Sequence, residues 1–196
     1  AEEYIRERGG EPAFKGYKGY PATLCTSINN EIVHGIPSED RVLVDGDIIS
    51  IDVGVKKDSY YGDAAYTYTV GEVDDSVKKL LEVTKESLFK GINRAIEGNN
   101  LSDIGSEIQN YVESHGFSVV RDLVGHGIGR KLHEDPEVPN FGESGKGPKL
   151  KKGMCLAIEP MVNAGDYRIR TLDDKWTVVT MDGTLSAHFE HTITIT

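Results

Sequence analysis

The chain carries almost no cysteine. Cys25 and Cys155 are its two, too few for a disulfide framework and without zinc-ribbon spacing, so core packing is their expected role. It also lacks any Lys/Arg-rich tract. Against 32 acidic residues stand 22 basic ones, a formal charge of −10, which argues against nucleic acid and anionic membrane as partners. No apolar run approaches the roughly 18 residues a membrane span needs, and the first residues are polar where a secretory signal would be hydrophobic. A cytoplasmic protein is the default these absences leave. At 196 residues the chain suffices for one well-buried domain, or for two small halves sharing a core.

What is present begins with a repeat. Gly46-Asp-Ile-Ile-Ser-Ile-Asp52 and Gly153-Met-Cys-Leu-Ala-Ile-Glu159 share a layout at an offset of 107 residues. Each is an apolar, strand-like run that opens on Gly and ends in one acid. An unpaired carboxylate in such a strand forfeits several kcal/mol of hydration, so something positive is expected beside both acids. The same offset relates Tyr4-Ile-Arg-Glu-Arg-Gly9 to Tyr111-Val-Glu-Ser-His-Gly116. These matches predict an internal duplication within a single domain, with half-repeats at about 1–73 and 74–196. Residues 74–97 would then need a counterpart before residue 1, so the chain is expected to start inside its first repeat, with hydrophobic surface exposed where that helix would lie.

Patterning supplies coarse elements. Residues 1–9 read as a helix end and 10–22 as a Gly- and Tyr-rich loop, followed by strands near 23–33, 47–55 and 62–70. Asp74 or Asp75 reads as an N-cap, and Val77, Leu80, Leu81, Leu88, Ile92, Ala95 and Ile96 keep helical spacing. A second helix is predicted over 102–115, with Ile104, Ile108, Tyr111 and Val112 inward and Gly116 ending it. Further strands are expected near 117–124, 154–163, 175–181 and 185–195, and a long surface loop over 134–152.

Ile48 to Val70 reads as a hairpin centred between Lys57 and Asp58. That register sets Asp52 directly opposite Asp63. Like charges so placed are destabilising, and a divalent cation between them reverses the sign. A last hairpin is predicted to turn at Asp182-Gly183, putting Glu190 on one face with His188 and Thr192. Within Gly125-His-Gly-Ile-Gly-Arg-Lys-Leu-His133 the glycines allow close backbone approach around His126. Four acids and an imidazole form a hard, oxygen-rich donor set that suits Mn, Fe(II) or Co(II), can take Zn, and is unlike a closed structural zinc site.

The runs Asn-Asn-Glu-Ile-Val-His34-Gly-Ile-Pro, Asp-Gly-Asp-Ile-Ile-Ser-Ile-Asp52-Val, Gly-Asp63-Ala, Gly-His126-Gly-Ile-Gly, His133-Glu-Asp-Pro, Ala-Ile-Glu159-Pro-Met-Val and His-Phe-Glu190-His-Thr together resemble type I methionine aminopeptidases, from about Phe14 to the C-terminus. The resemblance implies an α+β, pita-bread (creatinase/aminopeptidase) fold: pseudo-twofold duplicated αβ halves around a curved antiparallel sheet. It implies two divalent ions (Co2+, Mn2+, Fe2+, Zn2+ or Ni2+) held by Asp52, Asp63, His126, Glu159 and Glu190, with Asp63 and Glu190 bridging. Paired ions of this kind lower the pKa of water and polarise a carbonyl. It further implies that Glu159 shuttles a proton, that His34 contacts the scissile amide nitrogen, and that His133 meets the developing oxyanion or the second residue's carbonyl.

By the same resemblance the methionine slot is built from Phe14, Tyr17, Tyr20, Cys25, Leu132 and Trp176, with His34 at its edge and His133 beside it. Backbone carbonyls of Asn29 and Ser186 fall where some relatives bind a monovalent cation. Substrates would be N-terminal Met peptides and nascent polypeptides with a small second residue, handled by a monomer, with the ribosome a candidate docking partner. Two departures bear on the slot: many bacterial relatives have a small thiol residue at position 14 and an aromatic at 132, where this chain has Phe14 and Leu132. Two rivals are weighed. An Xaa-Pro peptidase or prolidase shares the five ligands but usually adds a large N-terminal domain, and a catalytically inactive peptide-binding scaffold typically loses ligands that are all present here.

Overall fold

Strict alternation builds the longest strand pair. The computed structural model describes all 196 residues. In chain order come α1 (Glu2–Glu7), β1 (Glu11–Pro12), a 3-10 turn at Tyr17–Gly19, β2 (Cys25–Ile28), β3 (Glu31–Val33), β4 (Ile48–Lys57) and β5 (Tyr60–Thr69). Then follow α2 (Asp75–Ile92), α3 (Ser102–Ser114), β6 (Ser118–Val119), β7 (Gly125–Gly127), β8 (Glu134–Val138), β9 (Cys155–Ile158) and β10 (Met161–Asn163). The chain closes with β11 (Ile169–Thr171), β12 (Val178–Thr180), β13 (Ser186–His188) and β14 (Glu190–Thr194). Along β4 buried and half-buried residues alternate from Ile48 to Val55, the period of a sheet with two unlike faces.

Eight strands form one antiparallel sheet in the order β1-β4-β5-β14-β9-β7-β8, with β2 also pairing β4. Its symmetry is visible in the order itself: β4–β5 from the first half abuts β14–β9 from the second along the β5–β14 seam, where Ala65 pairs with Glu190. This is the pita-bread arrangement. Two three-stranded sheets, β13-β10-β6 and β11-β12-β3, flank it. Ile104, Ile108 and Val112 of α3 and Leu80, Val83 and Leu88 of α2 are buried on the second half's side. They belong to a core cluster of 16 buried residues, and Gly116 ends α3 at φ 84°, a conformation glycine adopts without steric cost.

Several expectations are corrected. The β4–β5 turn is Asp58-Ser59, at φ 51° and 68°, a two-residue loop whose twist matches the strands it joins. Asp52 therefore faces Ala65, and Asp63 faces Gly54, two positions from the expected pairing. Because the shift is even, both acids stay on the same face. The segment 134–152 is not loop throughout: β8 pairs with β7 at the sheet's end, where an edge strand tolerates the charges and Pro136 that mask it in the sequence. The runs 154–163 and 185–195 each break, at Glu159-Pro160 and at Phe189, and their halves join different sheets. Asp182-Gly183 accordingly does not close a hairpin, since β12 pairs β3 and β11 while β13 pairs β10. Helix α2 stops at Ile92, where tight turns replace it, so Ala95 and Ile96 lie beyond the helix and Ile96 is exposed.

Candidate active site

Neighbouring strands deliver the acids to one face. Asp52 hangs from β4, Asp63 from β5 and His126 from β7, while Glu190 opens β14 and Glu159 follows β9 immediately. The pairing places Asp52, Ala65 and Glu190 in one row across three strands, and Thr192, Ala157 and His126 in another. Alanine at the middle of each row leaves room between the larger side chains. Asp63, His126 and Glu190 each bring one ligand atom within 4.8 Å of the others, and His126 Nε2 lies 3.6 Å from Glu159 Oε1. Thr192 pins Asp63 from the next strand: its Oγ1 accepts the Asp63 N–H and donates to the Asp63 carbonyl, both at 2.9 Å.

The electrostatics call for a cation. Burial first, then the neighbouring Asp63 and Glu159, push the Asp52 carboxyl well above its ordinary range. Burial and then Asp63 do the same to Glu159 and Glu190. Asp63 rises to about 7, its burial opposed by a hydrogen bond from Asp52 and by the Ala64 N–H. The basic groups within ion-pairing range are imidazoles, His126 and His188 against Glu159, and burial lowers the pKa of both, disfavouring their charged forms. Asp52 Oδ1 is buried with no hydrogen-bond partner. His126 Nδ1 donates to the Gly127 carbonyl at 2.8 Å, which leaves the Nε2 lone pair facing the acids. An orphaned oxygen, crowded carboxylates and an imidazole in the metal-ready tautomer together fit divalent metal ions.

A cavity of about 180 Å³ adjoins this cluster. Its lining takes in every metal, catalytic and slot residue expected from the sequence, adds Lys18, and leaves out Asn29 and Ser186. Tyr20 and Trp176 meet edge to face at 5.1 Å. The Tyr20 hydroxyl donates to the Gly35 and Leu24 carbonyls, so the ring's polar tip is satisfied and its apolar body walls the slot. Phe14 lies directly on β4 at Gly54, where a Cβ would come within 2.5 Å of its ring. Any side chain at 54 would force the ring to shift.

Two imidazoles frame the cavity. His34 holds a left-handed φ of 61°, an uncommon conformation for a non-glycine residue and one that gathers at functional sites. Its ring stands 6.5 Å from that of Trp176, and burial lowers its pKa. His133 stands at the mouth, stacked on Tyr17 with Nδ1 2.9 Å from the tyrosine hydroxyl and its ring 4.2 Å from that of His126. Desolvation, then His126, Lys18 and His34, bring it down to about 4.

The sequence pattern of metallopeptidase family M24 matches residues 1–196. A methionine aminopeptidase of Clostridium perfringens (strain 13 / Type A) is 60% identical over 195 residues, spanning 100% of this chain and 78% of that protein. The chain belongs to the methionine aminopeptidases of family M24. The crystal structure of methionine aminopeptidase from Rickettsia prowazekii is similar to this M24 fold with a TM-score of 0.97 at 47% identity, over 100% of this chain and 79% of that one. An Xaa-Pro dipeptidase from Bacillus anthracis, at 22% identity and a TM-score of 0.74 over 100% of this chain and 48% of its own, shares the fold alone.

Other residues of this M24 chain carry no mark in the sequence motifs. Asp174 places Trp176: its Oδ1 accepts the Trp176 and Thr177 N–H groups at 2.8 Å, and its Oδ2 accepts the Thr177 hydroxyl. An Asp two residues before the single Trp is the signal that could have found it. Ala65 and Ala157 read as ordinary strand residues until register is known. Asn29 and Ser186 do come together, the Ser186 N–H donating to the Asn29 carbonyl at 2.9 Å, away from the cavity.

Proposed function

We propose that the chain removes N-terminal methionine from peptides and nascent proteins by metal-dependent hydrolysis, favouring a small second residue. The observation that carries this reading is a single cavity that joins an apolar slot to a buried carboxylate cluster. Asp52, Asp63, His126, Glu159 and Glu190 would hold two divalent ions. Ions bound there supply a water of lowered pKa and a polarised scissile carbonyl. The substrate's free α-amine would bind at the metal site, which ties cleavage to the first residue.

The chain's own groups do the rest. Glu159 takes a proton from the attacking water and returns it to the leaving amine as the amide C–N bond breaks and a C–O bond forms, a role of the kind that contributes roughly 10²–10⁴-fold. With burial holding His133 down to about 4, the tautomer in which Nδ1 accepts from the Tyr17 hydroxyl 2.9 Å away puts the ring proton on Nε2, where it can donate to the carbonyl oxygen. His34, whose charged form burial disfavours, lies beside Trp176, placed to contact the amide nitrogen. No helix of the fold is long and apolar enough to cross a membrane, in keeping with action on chains emerging in the cytoplasm.

Metal-free protein loaded with Mn(II) or Co(II) and offered Met-Ala-Ser and Ala-Pro-Ser together tests the reading by mass spectrometry. Release of Met alone is the expected result. Cleavage before Pro would move the chain to the Xaa-Pro branch, and metal uptake without product would favour a peptide-binding scaffold.

A further inference from the structure

Behind Glu159 sits a histidine with nothing to bond. His188 ends β13 and is 1% exposed; it lies outside the lining of the substrate cavity. Its backbone is fixed from both sides by one hydroxyl: Thr67 Oγ1 accepts the His188 N–H at 2.9 Å and donates to the His188 carbonyl at 2.8 Å. Thr67 has thereby given its only proton to His188, so the Ser50 hydroxyl 2.8 Å away must donate to Thr67. The ladder to Met161 of β10 adds a third restraint. Such fixing is unusual for a side chain whose Nε2 is buried without a hydrogen-bond partner, because buried polar atoms are ordinarily satisfied.

The one charged group within range of that nitrogen is the Glu159 carboxylate. Oε2 of Glu159 lies 3.8 Å from His188 Nε2, while Oε1 lies 3.6 Å from His126 Nε2. The carboxylate is therefore divided between two imidazoles. They differ in tautomer. His126 has its proton on Nδ1, committed to the Gly127 carbonyl, and turns a lone pair inward. At His188 a lone pair turned against the ionised carboxylate of a metal-loaded site would be repelled, so the tautomer that fits there carries hydrogen on Nε2. At 3.8 Å the contact is longer than a hydrogen bond. Neither atom has a competing partner, and site hydrogen bonds often tighten only when the site is loaded.

We infer that His188 is a positioning residue for Glu159: its Nε2–H captures Oε2 and holds the carboxylate with Oε1 directed to the metal side. The inference rests on the proposed assignment of Glu159 as ligand and proton carrier. Partners that orient a ligating carboxylate typically govern metal affinity by 10–100-fold.

The test uses Mn(II) alone as probe, titrated calorimetrically into metal-free full chain, alongside kcat and KM for Met-Ala-Ser. His188→Leu is expected to weaken Mn(II) binding by roughly 10–100-fold and to lower kcat with little change in KM. His188→Gln, which restores an N–H donor, is expected to recover most of both losses, with thermal unfolding of the metal-free variants matching each other. His188→Met serves as the apolar variant should the leucine chain fail to fold. Mn(II) affinity and kcat unchanged in the apolar variant would overturn the inference, and so would equal losses in the apolar and Gln variants, which would mark a packing role. Failure of the wild-type chain to release Met would instead strike the proposed activity, and the Mn(II) affinities of the variants would still be read independently of it.

Discussion

The two halves of the sheet offer matching strand pairs with different backing. β4 and β5 run ten residues each without interruption, whereas β9 has four and β14 five, cut short by Pro160 and Phe189. The acids follow that difference. Asp52 and Asp63 hang from continuous strands, where a short side chain reaches the centre, while Glu159 lies just past a strand end and Glu190 on a strand start, and each has one more methylene to span the gap. The packing differs as well. All 16 residues of the main core cluster lie between Leu80 and Ile195 in the second half, whereas a smaller cluster of Ala13, Phe14, Tyr20 and Cys25 with Ile128 and Leu132 supplies four residues, Phe14, Tyr20, Cys25 and Leu132, to the lining of the substrate slot. Stability and specificity are therefore separable here, the first held mainly by one half and the second mainly by the other.

That separation can be broken by mutation. Asp63→Ala should have the largest effect, eliminating tight binding of the second metal ion and lowering activity by more than the roughly 100-fold typical of a supporting residue; unchanged metal stoichiometry by elemental analysis would refute the ligand assignment. His133→Ala should cut kcat by about 10²–10⁴-fold while metal affinity holds, which titration and steady-state kinetics would separate. Leu156→Ala, in the second-half core, should cost about 2–5 kcal/mol of stability in denaturant unfolding yet leave KM for Met peptides unchanged in the folded fraction. A rise in KM there would show that the halves are coupled.

A pH experiment sharpens the same contrast. Folded metal-free protein holds the Asp63 carboxyl at about 7, against 3.8 ordinarily, so between those values the folded state binds more protons than the unfolded one. Its contribution to stability is thus full at acid pH and lost as pH rises through 7. The melting temperature of chelator-treated chain should fall between pH 5 and pH 8. Asp63→Asn should flatten that fall, and added Mn(II) should reverse it. The smallest effect is expected from Asp174→Ala, which frees Trp176 and should raise KM for Met substrates by about tenfold, in line with the 1–2 kcal/mol a multiply bonded turn carboxylate commonly contributes, with kcat largely kept.

What could be read without coordinates was whatever depends on local order. Alternation marked β4 and β5, helical spacing marked α2 and α3, and the ordered motifs pointed to the residues that line one cavity. Register was not legible, because a turn at Asp58-Ser59 and one centred between Lys57 and Asp58 keep the same residues on the same face and differ by two positions. The break at Phe189 falls in a strand-like run with no Gly, Pro or Asn to mark it, whereas Pro160 is a visible interruption between two apolar stretches that each read as strand. β8 was hidden because an edge strand is free to look like a loop. In the sequence His188 stands out only as a neighbour of Glu190, and its place behind Glu159 depends on a strand end that local pattern does not mark.

Phe14 and Gly54 lie against each other with no space for a second side chain. The two positions are thus one heritable unit. Bulk at 54 would press directly on the ring at 14, and shrinking the ring would open room at 54. Reshaping the methionine slot from this wall therefore calls for changing both positions together.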